Sequence, residues 1–314
     1  MPGEAADVSR GHAVRERLFE VLSTRWVMVG LTVVPAFGLF LVINVLPIGW
    51  AIVASFHDIH PYNPEWTFIG LAHFTDILAD PDFWEVLWNS LVFAGGSVVL
   101  HLVVGTGFAL LINRQFRFAP LVRSIALVPY LIPTAILGFM GLWMANSQWG
   151  IINQILQQVG LIDGYIAWYG NTDLAMLSVI LTSSWKLTIF VTIMVLARLQ
   201  SIPEDHYEAA MMAGASSYQR FRDITLPNLK GVIFIVILLR GIWTFNKFDI
   251  IWVLTQGGPV GVTTTAPIYA YEVAFGRLSL GEASAISVLL FLLLVTVALI
   301  YFRVLEPSRE VRVE

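Results

Sequence analysis

The sequence predicts an all-α polytopic membrane protein with six transmembrane helices. Of its 314 residues, 57% are hydrophobic and 13% are charged, which is about half the charged fraction of a soluble domain. The mean hydropathy is +0.75, and several apolar stretches reach the roughly 20 residues that a membrane-spanning helix needs. The chain has no cysteine, which excludes disulfides, thiolate-bound metals and thiol nucleophiles.

Six apolar stretches define the predicted spans. They cover residues 26–56, 88–112, 122–145, 174–197, 231–254 and 283–305. The first contains Pro35 and Pro47, and we expect it to be kinked or to project at one end into the membrane interface. We expect no cleavable signal peptide, because a long charged segment precedes this span and its length exceeds the roughly 7–15 apolar residues of such a peptide.

Lysine and arginine are distributed unevenly between alternate segments. The N-terminal tail, the loop after span two, the loop after span four and the C-terminal tail hold four, three, four and three, 14 of the 18 in all. The other three loops hold one, Arg277. Because cytoplasmic segments carry the excess of basic residues, we predict that both termini are cytoplasmic. The predicted organisation is a cytoplasmic tail (1–25), a first transmembrane helix (26–56), an extracytoplasmic loop (57–87), a core (88–305) that includes a cytoplasmic loop (200–230), and a cytoplasmic tail (306–314).

The three remaining basic residues, Lys186, Arg240 and Lys247, lie within predicted spans. An ionisable group costs at least about 2.5 kcal/mol there, so we expect each to face a cavity or a partner. Arg240 is expected to snorkel to the cytoplasmic surface. Asn246 and Asp249, three residues apart, are expected to share a helix face, with Lys247 about 100° away. Alternatively, Lys186 or Lys247 pairs with Asp249 and neutralises buried charge.

Two further groups of polar residues carry weaker functional interpretations. His101 lies one helical turn from Ser97, but hydrolysis inside a membrane would also need an oxyanion site, and we predict no catalytic residue. His57, His60 and His73 are irregularly spaced in the outer loop, and we predict no metal site. The same loop is acidic and aromatic, which suits contact with a neighbouring helix or an extracytoplasmic binding protein.

The cytoplasmic loop between spans four and five has a helical pattern. Pro203 followed by Glu204 and Asp205 suits the first turn of a helix. Several alanines leave a nearly bare face, Gly214 interrupts the helix, and a second short helix is predicted to run to Pro227. Small side chains allow another backbone to approach closely, so the loop can dock in a groove of a partner protein. The alternative is a connector that packs on the chain's own helix ends.

The spacing in this loop resembles the EAA loop in the membrane subunits of bacterial binding-protein-dependent ABC importers. The matching positions are Glu208-Ala209-Ala210, Gly214 after three residues, Ile224 after nine more, and Leu226-Pro227 after one more. In that family the loop is a coupling helix, inserted in a cleft of the ATP-hydrolysing subunit. The resemblance implies coupling roles for Glu208, Ala209, Ala210, Gly214, Ala215, Leu226 and Pro227. The family's usual Asp-Gly-Ala triplet is Ala213-Gly214-Ala215 here, which removes one acidic contact.

Further motifs are similar to the carbohydrate-uptake branch of these importers, the relatives of the maltose and glycerol-3-phosphate permeases. They lie at residues 128–133, 185–186, 245–249, 254–259 and 263–265. The resemblance implies the ABC type I importer permease fold, with a substrate cavity near mid-membrane between two permease subunits. The candidate wall residues are Thr134, Trp185, Lys186, Trp243, Asn246, Lys247 and Asp249.

The resemblance implies a permease subunit of an ATP-driven importer that moves a sugar or sugar derivative across the bacterial inner membrane by alternating access. The implied partners are a second homologous permease, two ATP-binding cassette ATPase subunits, an extracytoplasmic solute-binding protein and the lipid bilayer, with no nucleic acid. No G-x-x-x-x-G-K-[ST] loop is present in the sequence, so ATP and Mg²⁺ are expected to bind the ATPase subunits, and this chain is expected to hold no cofactor and to be no enzyme. The intramembrane cations also permit an anionic substrate. A secondary transporter for a small polar solute is the alternative, although the sequence shows no internal repeat.

Overall fold

The computed structural model describes residues 25–114 and 117–305. Segments 1–24 and 306–314, on which the predictions of cytoplasmic tails fall, lie outside the described residues. The hairpin strands are β1 (His57–His60) and β2 (Asn63–Phe68). The α-helices are α1 (Arg25–Phe40), α2 (Leu46–Ala54), α3 (Ala72–Ala79), α4 (Pro81–Ile112), α5 (Ala119–Leu131), α6 (Thr134–Met144), α7 (Ile151–Gln158), α8 (Ala175–Gln200), α9 (Glu204–Met212), α10 (Ser217–Arg220), α11 (Leu226–Phe245), α12 (Asp249–Leu254), α13 (Ala266–Tyr271) and α14 (Leu280–Leu305). Short π-helical turns cover Leu41–Val45, Phe221–Thr225 and Glu272–Gly276.

The described residues contain five candidate membrane spans, or six if one bent pair of helices counts as a single span. Five are helices long and apolar enough to cross a bilayer, namely Met28–Ala54, Pro81–Ile112, Ala175–Gln200, Ser217–Phe245 and Leu280–Val304. The sixth is the pair α5 and α6, which are bent by 90° at a short break. The predicted helical membrane protein with six spans is confirmed. The hairpin of β1 and β2 was not predicted.

The first span contains the interruption that its prolines predict. Pro35 lies inside α1, a π-helical turn follows at Leu41–Val45, and Pro47 lies in the first turn of α2, where a missing N–H is tolerated. None of the most apolar stretch of this span is buried, although α2 contacts α14. Most of its surface is therefore available to lipid or to a neighbouring subunit.

The third span is not the straight helix predicted for residues 122–145. It is divided at Pro133, because a proline disfavours the helical conformation of the residue before it. Ile132 accordingly has an extended conformation with ψ of 126°. The chain turns there by 90° into α6, and the break lies in the middle of the predicted span.

The fifth span also differs from the prediction of one helix over 231–254. Its helix begins at Ser217 and ends at Phe245, and a separate short helix starts at Asp249. Pro227 does not end the preceding short helix. The π-helical turn just before α11 shifts the hydrogen-bond register and places Pro227 in the first turn of α11, where no backbone donor is needed.

The centre of the molecule is the close pair of α4 and α8. Gly105 of α4 lies against Val191 of α8, and a side chain at this glycine would approach Val191 Cβ to 2.9 Å. Small residues permit such close packing inside membranes. α11 packs on both helices. Val191, Val195, Leu199, Leu229 and Val236 belong to the buried cluster that joins the three.

The segment predicted as an extracytoplasmic loop is folded. Its hairpin and α3 pack against the start of α14. Gly281 lies against the His57 carbonyl with no room for a side chain, and the His73 Nε2 is 3.2 Å from the same carbonyl oxygen. These contacts give the His73 side chain and the His57 carbonyl a structural role.

Candidate functional site

The loop between α8 and α11 contains a helix with a defined start. α9 begins after Pro203, with Glu204 and Asp205 in its first turn, where acidic groups favour the positive end of the helix dipole. The following helix, α10, has a reciprocal capping box between Ser216 and Gln219. The first predicted short helix is confirmed, whereas the second does not end at Pro227 but continues through a π-helical turn into α11.

The end of α9 explains the glycine in the EAA-like spacing. Gly214 has φ of 81°, a left-handed conformation that glycine adopts without steric cost. The Ala215 N–H donates to the Ala210 carbonyl at 2.9 Å, and the Gly214 N–H donates to the Met211 carbonyl at 2.9 Å. These two bonds form a Schellman C-cap. Ala210, Gly214 and Ala215 are therefore linked by the geometry of one helix end.

The outer surface of α9 and α10 is partly apolar. Met212 is 90% exposed and Tyr218 is 70% exposed, and Glu208 and Ala209 are exposed on the same segment. We call these four residues the α9 surface. Exposed apolar groups surrounded by polar ones are typical of protein interfaces. The sequence interpretation missed Met212 and Tyr218, because the EAA spacing omits them, and their apolar character in a charged loop was the available signal.

Buried contacts attach α9 to the spans. Ile202, just before α9, is 5% exposed and packs in the cluster that contains Leu199 and Leu229. The Tyr207 hydroxyl is 3.0 Å from Thr225 Oγ1, which joins α9 to the segment that continues into α11. α9 is therefore attached to both α8 and α11.

Arg198 links the two helices, α8 and α11, that flank this loop. Its Nε donates to the Asn228 carbonyl at 3.0 Å, and its Nη2 donates to the Asn228 Oδ1 at 3.0 Å. Two parallel guanidinium bonds fix geometry as well as distance. The end of α8 and the start of α11 are thus held together on either side of α9. Sequence reasoning counted Arg198 only as a cytoplasmic charge.

A cleft of about 550 Å³ lies between α9 and the ends of α4 and α5. Asn113, Arg123 and Glu208 are among its walls. Arg123 donates to the Ile112 carbonyl through Nε at 3.2 Å and through Nη2 at 3.1 Å, which holds α5 against the end of α4. The cleft separates α9 from the ends of α4 and α5, while the contacts of α9 with α8 and α11 are close.

The break between α5 and α6 is closed by a lysine of α8. A helix end leaves carbonyl groups without helical partners. The Lys186 Nζ donates to the Ile132 carbonyl and lies 3.5 Å from the Thr134 Oγ1. Neighbouring side chains commonly satisfy the backbone groups that a break frees inside a membrane. Two predicted wall residues, Lys186 and Thr134, therefore lie together, and Lys186 has a structural partner.

The break between α11 and α12 carries an ion pair. The Lys247 Nζ lies 3.0 Å from the Asp249 Oδ1, and the two side chains are 25% and 47% exposed. Asn246 is exposed, and its Nδ2 donates to the Ile242 carbonyl at 3.1 Å. The prediction that Asn246 and Asp249 share a helix face is wrong, because α11 ends before both. The alternative, that a lysine pairs with Asp249, is confirmed for Lys247, although the pair is partly exposed and not buried.

The two breaks meet at a small cavity. Thr134, Lys186 and Lys247 line it together with Ser183 and Ile250. Its volume is about 10 Å³, which is room for about one water molecule. A sugar needs a larger space, so a substrate site here requires the open side of the second break, where Lys247 is partly exposed and Asp249 is exposed.

The two predicted tryptophans lie outside this cavity. Trp185 is 43% exposed and Trp243 is 49% exposed. Trp243 contacts the Phe190 ring edge-on, with centroids 5.4 Å apart. The structure thus brings Thr134, Lys186 and Lys247 together, with Asp249 paired to Lys247. Substrate contact by any of the candidate wall residues stays a prediction.

Arg240 does not snorkel, and that prediction is wrong. Its side chain is buried, with the residue 4% exposed, because it extends into the bundle instead of toward the surface. Its Nη2 lies 3.4 Å from the His101 Nδ1, and its guanidinium carbon is 5.9 Å from the Phe190 ring centroid. Ser97 and His101 are both buried on α4, consistent with one shared face, and within the described residues neither the Ser97 Oγ nor the His101 Nε2 has a hydrogen-bond partner.

The end of the helix bundle opposite α9 is acidic. A cleft of about 220 Å³ there is lined by Asp82, Glu85, Glu272 and Arg277, among others. Burial raises the pKa of the Glu272 carboxyl, and the charge of Arg277 opposes this shift. Across residues 25–114 and 117–305, no three His, Asp or Glu side chains are grouped to hold a metal ion.

A family model covers most of the chain. The model described as binding-protein-dependent transport system inner membrane component matches residues 101–311, which includes both helix breaks and the whole α9 loop. The chain belongs to this family. The family resemblance that the EAA-like spacing indicated is confirmed. As a binding-protein-dependent transport component, the chain is a membrane permease subunit.

Named relatives of this permease are similar over nearly their whole length. The chain is 36% identical over 274 residues to the trehalose/maltose transport system permease protein MalF of Thermococcus litoralis, which covers 87% of the chain and 92% of that relative. It is 34% identical over 292 residues to the sulfoquinovosyl glycerol transport system permease protein SmoG of Agrobacterium fabrum, which covers 91% and 94%.

A solved structure shares the fold of this permease. It is a chain from a bacterial ABC transporter involved in the import of the acidic polysaccharide alginate. The TM-score is 0.78 at 21% identity, with coverage of 94% of this chain and 100% of that one. The predicted ABC type I importer permease fold is confirmed.

Proposed function

We propose that this permease moves a sugar or sugar derivative across the bacterial inner membrane by alternating access, driven by ATP hydrolysis in partner subunits. The observation that carries the proposal is the similarity, over nearly the whole chain, to permease proteins of two sugar transport systems. A second permease, two ATPase subunits and an extracytoplasmic solute-binding protein complete the importer. In this proposal both termini and α9 are cytoplasmic, because the basic residues lie in those segments.

The α9 surface is the proposed contact with the ATPase subunit. Met212 and Tyr218 supply exposed apolar area, and Glu208 supplies a charge. A push on this surface reaches α8 through Ile202 and reaches α11 through the Tyr207–Thr225 contact. Because Arg198 ties those two spans together at their base, they move with α9 as one unit, while the cleft beside α4 and α5 changes width.

The open side of the second break is the proposed substrate site. Lys247 donates hydrogen bonds and Asp249 accepts them, and sugar hydroxyls need both. The two side chains are partly exposed, and Asn246 is exposed beside them. A charged pair facing lipid would be costly, so we propose that the second permease closes this side and leaves a cavity between the subunits.

An anionic sugar derivative is the narrower form of this proposal. Lys186, Lys247 and Asp249 together carry one net positive charge at the breaks, which would favour an anion. Competition for uptake between neutral and anionic sugars tests it. If neutral sugars alone compete, the anionic form is rejected and the neutral form stands.

Co-purification and one substitution test the assembly. We expect an ATPase subunit and a second permease to purify with this chain in mild detergent. Glu208→Lys reverses a charge on the α9 surface, so ATP hydrolysis stimulated by the binding protein and sugar uptake should both fall about tenfold to hundredfold, since charge-assisted contacts contribute about 1.5–3 kcal/mol. Insertion into the membrane should be unchanged.

Asp163→Lys is the matched control, because Asp163 is an exposed acid in the loop between α7 and α8. It should retain full activity. Normal uptake by Glu208→Lys, or a chain that purifies without partners yet still transports, would contradict the coupling assignment.

A further inference from the structure

Four aromatic side chains form one continuous surface beside the second helix break. They are Phe248, Trp252, Tyr271 and Phe275, and we call them the aromatic ladder. The ring centroids are 5.3 Å apart for Phe248 and Trp252, 4.9 Å for Trp252 and Tyr271, and 4.8 Å for Tyr271 and Phe275. Phe248 also lies 5.1 Å from Tyr271. Residues about 20 positions apart in the sequence thus meet in one row.

The ladder begins at the proposed substrate site. Phe248 lies in the sequence between Lys247 and Asp249, the partners of the half-exposed ion pair. The other end is Phe275, which is 64% exposed and belongs to the π-helical turn just before Arg277. That arginine marks the loop that the charge distribution predicts to be extracytoplasmic. The ladder therefore connects the predicted outer end of the bundle with the polar break.

The backbone behind the ladder is firmly packed. Ile250, on the opposite face of α12, and its neighbour Ile251 are fully buried, and so is Val273 behind the second half of the ladder. Tyr271 is 38% exposed and brings a hydroxyl to the surface. The rings are thus held in place from one side and accessible from the other, which lowers the entropic cost of binding a ligand.

The chemistry of the ladder fits a sugar ring. A pyranose carries hydroxyl groups around its edge and C–H bonds on its faces, and the electron-rich face of an aromatic ring attracts such C–H groups. Binding sites combine aromatic walls of this kind with a few polar groups that fix orientation. Here the polar groups are the Lys247–Asp249 pair at one end and the Tyr271 hydroxyl along the row.

We propose that the aromatic ladder is a stacking surface along which a sugar ring moves from the extracytoplasmic end of the bundle to the Lys247–Asp249 pair. The proposal rests on the proposed sugar-import function and adds binding residues to it. Aliphatic side chains would fill the same volume but offer no flat face, so replacing a ring by leucine removes the stacking and keeps an apolar surface.

The test uses the complete importer in proteoliposomes, with radiolabelled trehalose and maltose as probes. Trp252→Leu and Tyr271→Leu should each lower uptake at subsaturating sugar by about threefold to tenfold, the range of a single aromatic contact. We expect the effect chiefly in KM. Tyr271→Phe keeps the ring and should retain most uptake. Phe291→Leu is the control, because Phe291 is an exposed aromatic of α14 at 54%, away from the ladder, and it should behave as wild type.

ATP hydrolysis stimulated by the binding protein, measured on the same preparations, reports whether the complex is intact. Wild-type KM and uptake in both leucine variants would overturn the ladder proposal. Loss of the second permease from the purified variants would also overturn it, because the ladder would then be a subunit interface. If the wild-type importer takes up neither probe, the proposed function fails for these sugars before any variant is tested, and the ladder proposal fails with it.

Discussion

The two helix breaks differ in how each uses a lysine. At the break between α5 and α6, Lys186 donates to the Ile132 carbonyl and so closes the gap in the backbone. At the break between α11 and α12, Lys247 pairs with Asp249 on a half-exposed surface. A charge inside a membrane is expensive in either place. The difference shows that such a charge can serve the fold at one break and remain accessible to a ligand at the other.

The largest expected effect is a loss of sugar uptake on substitution at the second break. Asp249→Asn leaves Lys247 without its countercharge and weakens an acceptor on the open side, so sugar uptake should fall about tenfold to hundredfold, as for loss of a polar contact of about 1–3 kcal/mol. The thermal unfolding midpoint should hardly change, because exposed ion pairs contribute little stability. Both quantities are measured on one preparation.

Asp173→Asn, in an exposed loop before α8, is the control for Asp249→Asn and should match wild type in both measurements. A large drop in the unfolding midpoint of Asp249→Asn would mean that the ion pair at the second break stabilises the fold, as Lys186 does at the first. It would contradict the claim that the two breaks differ in function.

The next effect should appear in stability. Lys186→Met keeps the length of the side chain and leaves the Ile132 carbonyl without its donor, so the free energy of unfolding should fall by about 1–3 kcal/mol. Uptake per folded complex should stay within about twofold of wild type. This change is smaller than the one expected from loss of a single aromatic contact. Lys230→Met, at an exposed position of α11, is the control. Unchanged stability combined with lost uptake would instead assign Lys186 to the substrate.

The smallest effect is expected at Thr134. Its Oγ1 is 3.5 Å from the Lys186 Nζ, which is at the limit of a hydrogen bond. Thr134→Val preserves the shape of the side chain and should change stability by less than about 0.5 kcal/mol and leave uptake nearly unaltered. A tenfold loss of uptake would mean that Thr134 contacts the sugar, and the first break would then be a substrate site as well.

The helix α9 in the loop between α8 and α11 was well predicted because its determinants are local. Pro203, the acids after it and Gly214 set the ends of α9 through helix capping, and capping depends on residues a few positions apart. The spans were predicted for the same reason, since a run of apolar residues is a local signal. The spacing around Gly214 has a physical basis in the left-handed C-cap that the structure shows.

The first break follows from a local signal, Pro133, which the prediction of a straight third span did not use. The second break and the aromatic ladder were not predicted because they depend on contacts between distant segments. Residues 246–248 contain no proline or glycine that would mark the end of a helix. The apolar stretch therefore predicts one helix over 231–254, whereas tertiary packing ends α11 at Phe245. The position of Arg240 within its own span predicts a surface side chain. In the fold its guanidinium lies in the core beside His101 of α4, a contact that the sequence of one span does not contain. Trp252 and Tyr271 come from separate helices and meet only in the fold.

The most direct test of the account is the energy source of transport. The complete importer in proteoliposomes should accumulate a labelled sugar against its gradient only when ATP is supplied on the side of the ATPase subunits, and Glu208→Lys should abolish most of that accumulation. Accumulation by this chain alone, driven by a proton or sodium gradient without ATP, would contradict the account and identify a secondary transporter.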